Sequence, residues 1–371
     1  MQRRVREIEG DSLVMGELPL GCQYCTRGSK MVLFVTGLCN SSCFYCPLSQ
    51  EKAEQDVVFA DEMPVSDLKD ILFEAQAIGA EGAGLSGGDP LCQLDRTTDY
   101  ISNLKEYFGA DFHTHLYTSQ SNVEQPTLRR LIDAGLDEIR FHPMTKNWTG
   151  IESAISLGMN VGIEVPAIPG NLSSLKDIAQ KAENIEVDFL NINELESSET
   201  NFDALVARNL RLKNLDSAAI EGSAELARET IVWAAENLES LNVHYCSSHF
   251  KDAIQMRNRL QRRLERTIRE FEEPDEKSPL LILGIIRAPH GVDLDSNRLD
   301  RIEHILRTEF DVPSTLLNKD HYRKRIEIAA WILLEIAEDL KRSITGLGAI
   351  EMGIAEEYPS WDRLQTLFEP L

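Results

Sequence analysis

Residues 34–49 read FVTGLCNSSCFYCPLS and hold three of the chain's seven cysteines. Cys39, Cys43 and Cys46 follow a C-x3-C-x2-C spacing, directly after the apolar run MVLFVT at 31–36. A run of that length and β-branched content reads as a buried strand, so the cysteines fall at its C-terminal end. Three thiolates are one short of the four ligands of a closed structural zinc site. On a four-iron cubane they leave one iron open, and an open coordination position is where substrate or cofactor binds.

Working outward, strand-like and helix-like segments alternate. PVSDLKDILFEAQAIG places Leu68, Ile71, Leu72 and Ala75 on one helical face and stops at Gly79. GAGLSGG at 82–88 is a strand running into a glycine turn. The pattern continues through TTDYISNLKEYFG, FHTHLYTS, QPTLRRLIDAG, LDEIRFH, IESAISLG, MNVGIEVPAI, NLSSLKDIAQKAE and VDFLNIN, followed by a helical stretch over about 201–239 and then NVHYC. Right-handed crossovers turn six such alternations into a parallel sheet, open or curled, with ligands gathered at the C-terminal strand ends. The cysteine loop, SGGDP, Ser119, Arg140, His142 and Asn193 then converge on one rim. His113 and His115 lie two apart on a strand and face the same way, which suits packing or hydrogen bonding.

Composition sets the outer bounds. A chain of 371 residues, 42% hydrophobic and 27% charged, is too long for one small core and has the balance of a soluble globular protein. No apolar run approaches the roughly 20 residues that span a bilayer. The start, MQRRVREIEGDSL, lacks the apolar region of a signal peptide. The expected compartment is the cytoplasm, where clustered cysteines serve as ligands or catalysts before disulfides. The net charge of -23 disfavours nonspecific nucleic-acid binding. Residues 251–270 run against it, with seven Lys+Arg and three Asp+Glu, and read as a solvated helix face or a docking strip for RNA or protein. EEPDEKSP at 272–279 reads as a boundary. The expected division is a 1–30 extension carrying a C-x2-C pair, a catalytic barrel over 31–250, a basic helix and linker over 251–275, and a small α/β domain over 276–371 with helices around 297–309 and 321–342.

The C-x3-C-x2-C loop with Tyr45 before its last cysteine resembles the signature of the radical S-adenosylmethionine (SAM) superfamily. Gly87, Gly88, Asp89 and Pro90 resemble its Gly-Gly-Glu motif, with Asp in place of Glu. The resemblance covers roughly residues 31–246 and is nearest to the branch of the pyruvate formate-lyase activating enzyme. It implies a partial (β/α)6 TIM-like barrel, a [4Fe–4S] cluster on Cys39, Cys43 and Cys46, and SAM on the open iron. It also implies an electron donor such as ferredoxin or flavodoxin, and a substrate that is a partner protein, an RNA or a smaller molecule. Tyr45, Gly87, Gly88, Asp89, Ser119, Arg140, Ile163 and Asn193 are the cofactor-binding positions it suggests. The rival reading is a zinc-stabilised nucleic-acid-binding module.

A second group remains. Cys22 and Cys25 in GCQYC, with Cys246 and His249 in VHYCSSHF, supply four ligands of the kind that hold zinc or an auxiliary iron–sulfur cluster.

Overall fold

The computed structural model describes residues 3–289, 292 and 294–371. The chain forms two compact units, Met1–Arg259 and Leu260–Leu371. The first begins with β1 (Val5–Glu7), β2 (Leu13–Met15) and α1 (Leu20–Thr26), and continues through β3 (Lys30–Thr36), β4 (Phe59–Ala60), β5 (Met63–Pro64) and α2 (Leu68–Ala77). Then come β6 (Gly82–Gly87), α3 (Leu94–Phe108), β7 (His113–Thr118), α4 (Gln125–Ala134), β8 (Glu138–Phe141), α5 (Thr149–Ser156) and β9 (Asn160–Ala167). It ends with α6 (Leu172–Asn184), β10 (Phe189–Glu194), α7 (Phe202–Val206), α8 (Ser223–Asn237) and β11 (Asn242–Cys246), with α9 (Met256–Thr267) containing the division between the units.

These strands form one sheet in the order β1-β2-β11-β10-β9-β8-β7-β6-β3-β4-β5. From β3 to β11 every pairing is parallel, which makes seven parallel strands joined by helical crossovers. NVHYC is the seventh of them. The sheet does not close: short antiparallel strands, β2 beside β11 and β4 beside β3, occupy its two edges. This is the partial barrel the pattern implies.

Both faces of the sheet are covered, so its strands carry few exposed positions. Met31, Leu33 and Val35 of β3 are fully buried, while Lys30 and Val32 line the opposite, inner side. The inner side is polar along its length, and α1 lies against β3, β6 and β7.

Three readings of the elements change. The stretch 201–239 is two helices, with residues 207–222 irregular and tied by the bridges Glu196↔Ala219 and Leu212↔Ile220. Asn209 and Gly222 take positive φ and break the helix. Residues 1–30 are not a separate extension, because β1 and β2 extend the main sheet. Residues 272–279 are no linker, since β12 (Glu273–Pro274) pairs with β13 (Leu281–Arg287).

The second unit continues with α10 (Ser296–Thr308), β14 (Leu317–Asp320), β15 (Arg325–Ile328), α11 (Ala330–Ser343), β16 (Glu351–Glu357) and β17 (Gln365–Pro370). Part of the expected helix at 321–342 is thus strand. Its sheet is antiparallel throughout, ordered β14-β15-β13-β16-β17 with β12 on β13. Its own core includes Leu283, Ile285, Leu299, Ile302, Ile326, Ile328 and Leu333.

Candidate active site

The cysteine loop leaves β3 at Thr36 and crosses the C-terminal rim. Its base is fixed by backbone bonds from Gly37 N to Gln55 O (2.7 Å) and Glu54 N to Gly37 O (3.1 Å). The Thr36 hydroxyl donates to Asp56 at 2.9 Å, and Arg96 donates to the other Asp56 oxygen at 3.0 Å. All three thiols line one cleft of about 410 Å³. Ser41 N donates to Cys39 Sγ at 3.3 Å, and the Cys43 thiol lies 3.6 Å from Met144 Sδ. Asn201 Nδ2 donates to Tyr45 O at 3.1 Å, which ties the loop to the segment after β10. Burial raises the Cys43 and Cys46 thiols above their ordinary range. A thiol that resists ionisation in isolation becomes a thiolate when metal displaces its proton.

Across the cleft, the glycine pair passes against the backbone of this loop. A Cβ on Gly87, at φ 141°, would stand 2.2 Å from Thr36 O. One on Gly88 would stand 2.4 Å from Leu38 O and 2.6 Å from Gly37 O. No other residue lets the two chains meet so closely. Asp89 does a different job. It is fully buried, and its carboxylate accepts from the Thr118 hydroxyl at 3.0 Å, from Ser119 N at 3.1 Å and from Ser119 Oγ at 2.9 Å. The Ser41 hydroxyl donates to Ser119 Oγ at 2.9 Å. Asp89 therefore positions Ser119 and the cysteine loop from behind, and the cleft is lined by Gly87, Gly88 and Ser119.

The cleft floor is a buried polar network. Arg140 is 2% exposed and donates to Glu138 at 2.5 Å, to Glu164 at 3.1 Å and to Tyr117 Oη at 3.3 Å. Glu164 also accepts from Asn191 at 3.1 Å and Asn193 at 2.9 Å. Burial alone would raise the Glu164 carboxyl, but Arg140 and the two asparagines hold it below its ordinary value. Further up the wall, Tyr45 Oη lies 2.7 Å from His142 Nε2, and His142 Nδ1 lies 2.8 Å from Glu164 O. Burial holds His142 below its ordinary value. A neutral His142 with Nδ1–H donating to the carbonyl leaves Nε2 to accept from the tyrosine.

The expected positions thus divide. Cys39, Cys43, Cys46, Tyr45, Gly87, Gly88, Ser119 and Asn193 all border the cleft. Ile163 does not: it is fully buried below the rim, and Glu164, Val165 and Pro166 are the residues of β9 that line the cleft. Arg140 borders the floor, but its Nε and Nη1 are taken up by Glu138 and Glu164, so a ligand carboxylate would have to compete with both. His142 and Glu164 are the residues the sequence reading undervalued. The signal was present, since a carboxylate in the middle of the apolar strand NVGIEVPA has to face an enclosed polar interior.

The second cysteine group is only partly assembled. Cys246 stands close enough to Cys22 and Cys25 for their charges to interact. Burial pushes the Cys22 thiol up, but the Arg140 charge and a hydrogen bond from His244 bring it down to about 7. His249, however, is 60% exposed and its Nδ1 pairs with Asp11 at 3.0 Å. Among the described residues, these four do not bring their ligand atoms within 4.8 Å of one another. The four-ligand zinc site expected from the spacing is therefore not formed, because the turn after β11 directs His249 to the surface. The basic segment likewise spends its charge internally. Lys251 pairs with Glu196 at 3.0 Å, Arg259 pairs with Asp61 and Glu62 at 2.6 Å each, and Arg269 pairs with Glu327 at 2.6 Å.

The three thiols on one loop, with no fourth cysteine lining the cleft, fit a cubane with one open iron. The close-packed glycine turn opposite fits a ligand held by backbone groups. Comparison with known proteins agrees. The Radical SAM superfamily profile matches residues 33–145, and a domain of unknown function (DUF8061) matches 280–371. A protein of Methanocaldococcus jannaschii, provisionally named a glycyl-radical enzyme activating enzyme, is 36% identical over 367 residues, covering 96% of this chain and 93% of its own. The solved structure of Streptococcus suis SuiB aligns with a TM-score of 0.43 at 13% identity, over 60% of this chain and 50% of that one. Coproporphyrinogen III oxidase of Escherichia coli, a radical SAM enzyme, aligns with a TM-score of 0.35 at 13% identity, over 65% and 58%. The chain thus spans little more than half the length of these solved structures. It belongs to the radical SAM superfamily, and within it to the branch resembling the pyruvate formate-lyase activating enzyme. It is a radical SAM enzyme, and among the described residues no helix is long and apolar enough to cross a membrane.

Proposed function

We propose that this enzyme activates a partner protein, acting on a glycyl segment presented at the cleft. The observation that carries the reading is convergence. Three thiols of one loop, a glycine pair and the polar ends of β7, β8 and β10 all border one cleft. The relative named for activating a glycyl-radical enzyme, matched over nearly its whole length, supports the choice of a protein substrate.

Cys39, Cys43 and Cys46 would hold the cluster, and SAM would lie between them and the strand ends. With both bound and one electron from a donor such as ferredoxin or flavodoxin, they would supply the radical chemistry that removes a hydrogen atom from substrate. The protein's part is binding, orientation and exclusion of water. Gly87 and Gly88 offer backbone groups at close range, and Ser119 and Asn193 offer polar ones. Tyr45 and His142, locked together, form a rigid wall. The Arg140–Glu164–Asn191 floor is buried and internally hydrogen-bonded through Glu164, which helps keep water from the reacting centre.

The test is anaerobic. Reconstituted protein given dithionite and SAM should release 5′-deoxyadenosine and methionine. With a glycyl-radical enzyme from the same organism, it should generate a protein-bound glycyl radical by electron paramagnetic resonance. 5′-Deoxyadenosine without a glycyl radical on any such partner would overturn the proposed substrate. No 5′-deoxyadenosine at all would overturn the assigned site.

A further inference from the structure

The inner side of the sheet carries a second constellation that the cleft does not use. His113 and His115 share the inward face of β7, and Glu138 of β8 is the direct cross-strand partner of His115. The three are 6%, 0% and 1% exposed. Their ligand atoms lie within 4.8 Å of one another, with His113 Nε2 3.9 Å from Glu138 Oε2. Each has one buried atom without a hydrogen-bond partner: His113 Nε2, His115 Nδ1 and Glu138 Oε2. Unpaired buried polar atoms are rare in folded proteins. Here one falls on each member of a single cluster of metal-ligand side chains.

We propose that His113, His115 and Glu138 bind one divalent transition-metal ion, zinc by the character of their donors. Two imidazoles and one carboxylate are borderline-to-hard ligands of the kind zinc takes. In two of the three side chains the other polar atom is already committed. His115 Nε2 lies 3.2 Å from Tyr117 Oη, and Glu138 Oε1 accepts from Arg140. Ligands about 2.0–2.1 Å from a tetrahedral ion stand roughly 3.4 Å apart. The His113–Glu138 pair therefore needs to draw in by about half an ångström.

A fourth buried atom completes the picture. Arg140 Nη2 also lacks a partner. It and His115 Nδ1 each lie 2.8 Å from where a Cβ on Gly21 would stand. Gly21 thus lets α1 pack directly over both atoms, where any side chain would clash. Of the two cations that act on His115, Arg140 is balanced by Glu138 and Glu164 and Lys30 faces Cys25, while the ion would meet the other Glu138 oxygen. The ion would tie β7 to β8 beneath the cofactor cleft, so its first role is to hold the floor.

Full-length protein expressed without added zinc, its cluster reconstituted anaerobically and zinc then titrated in, should bind one equivalent and gain thermal stability. X-ray absorption at the zinc edge should show only nitrogen and oxygen ligands near 2.0–2.1 Å and no sulfur near 2.3 Å. His115→Gln and Glu138→Gln should each weaken zinc binding at least about tenfold while leaving cluster iron content at the wild-type level. Sulfur scatterers would place the ion on Cys22, Cys25 and Cys246 and overturn the proposal. So would a wild-type protein that binds no zinc, or affinity unchanged in both variants. The absorption measurement on wild-type protein decides the matter even if a variant does not fold.

Discussion

At Gly88 the absence of a side chain is what lets two segments meet. A methyl group there would stand 2.4 Å from Leu38 O, next to Cys39. Gly88→Ala should therefore disturb the cluster loop as well as the cofactor, lowering both iron content and SAM affinity. Gly109→Ala is the control, because that glycine has a positive φ but open space around it. It should lose about 1–3 kcal/mol of stability from backbone strain and keep its iron. Cys43→Ala should abolish 5′-deoxyadenosine formation, measured by chromatography after dithionite reduction, because two thiolates do not fix a site-differentiated cubane. These residues were legible because their partners are near in sequence or carried by motif. Ile163 and His249 were misjudged for a different reason. Whether a side chain faces the cleft depends on its depth along the strand and on the path of a turn, and neither is fixed by local composition.

Among elements, the join of α6 to β11 shows how one carboxylate organises a turn. Glu183 near the end of α6 accepts from the backbone N–H groups of Glu239 (2.9 Å), Ser240 (3.0 Å) and Leu241 (2.7 Å), just before β11. Partial burial would raise its pKa, but these bonds hold it below the ordinary carboxylate value. A depressed folded pKa means stability that is present above the unfolded value, about 4.3, and lost as pH falls through the lower folded one. Glu183→Gln should cost about 1–2 kcal/mol at pH 7. In urea unfolding, the gap from wild type should narrow as pH drops below about 4.3; a gap independent of pH would show that the carboxylate's charge is not what matters. The alternation of strands and helices was readable because the apolar periods are strong. The irregular run 207–222 was not, since it turns on the positive φ of Asn209 and Gly222, which local composition does not announce.

On the scale of the whole molecule, the second unit is held by buried charge as well as by its apolar core. Arg325 is 5% exposed and donates to Glu327 at 2.7 Å and Glu357 at 2.8 Å, and both carboxylates are fully buried. Removing the cation takes that partner from buried Glu357 and leaves Glu327 only Arg269 and Asn318. Arg325→Met should destabilise the unit by roughly 3–5 kcal/mol, read from urea unfolding followed at Trp331 and Trp361. The sequence marked this region as α/β but did not place its boundary. The charged, proline-containing run at 272–279 imitates a linker, yet Glu272 is buried and paired with Arg269 at 3.0 Å.

The order of strands also sets a timetable. Met15 of β2 pairs with Val243 of β11, more than two hundred residues later. At about 5–20 residues per second of synthesis, the partner emerges on the order of ten to forty-five seconds after β2 does. Through that interval β1 and β2 have only each other, and an isolated two-stranded hairpin is marginal in water. Cys22 and Cys25 follow on α1, whose partners β3, β6 and β7 are made far sooner. The β1–β2 hairpin is thus synthesised long before its partner strand, and through that interval its edge is open to pairing with other chains.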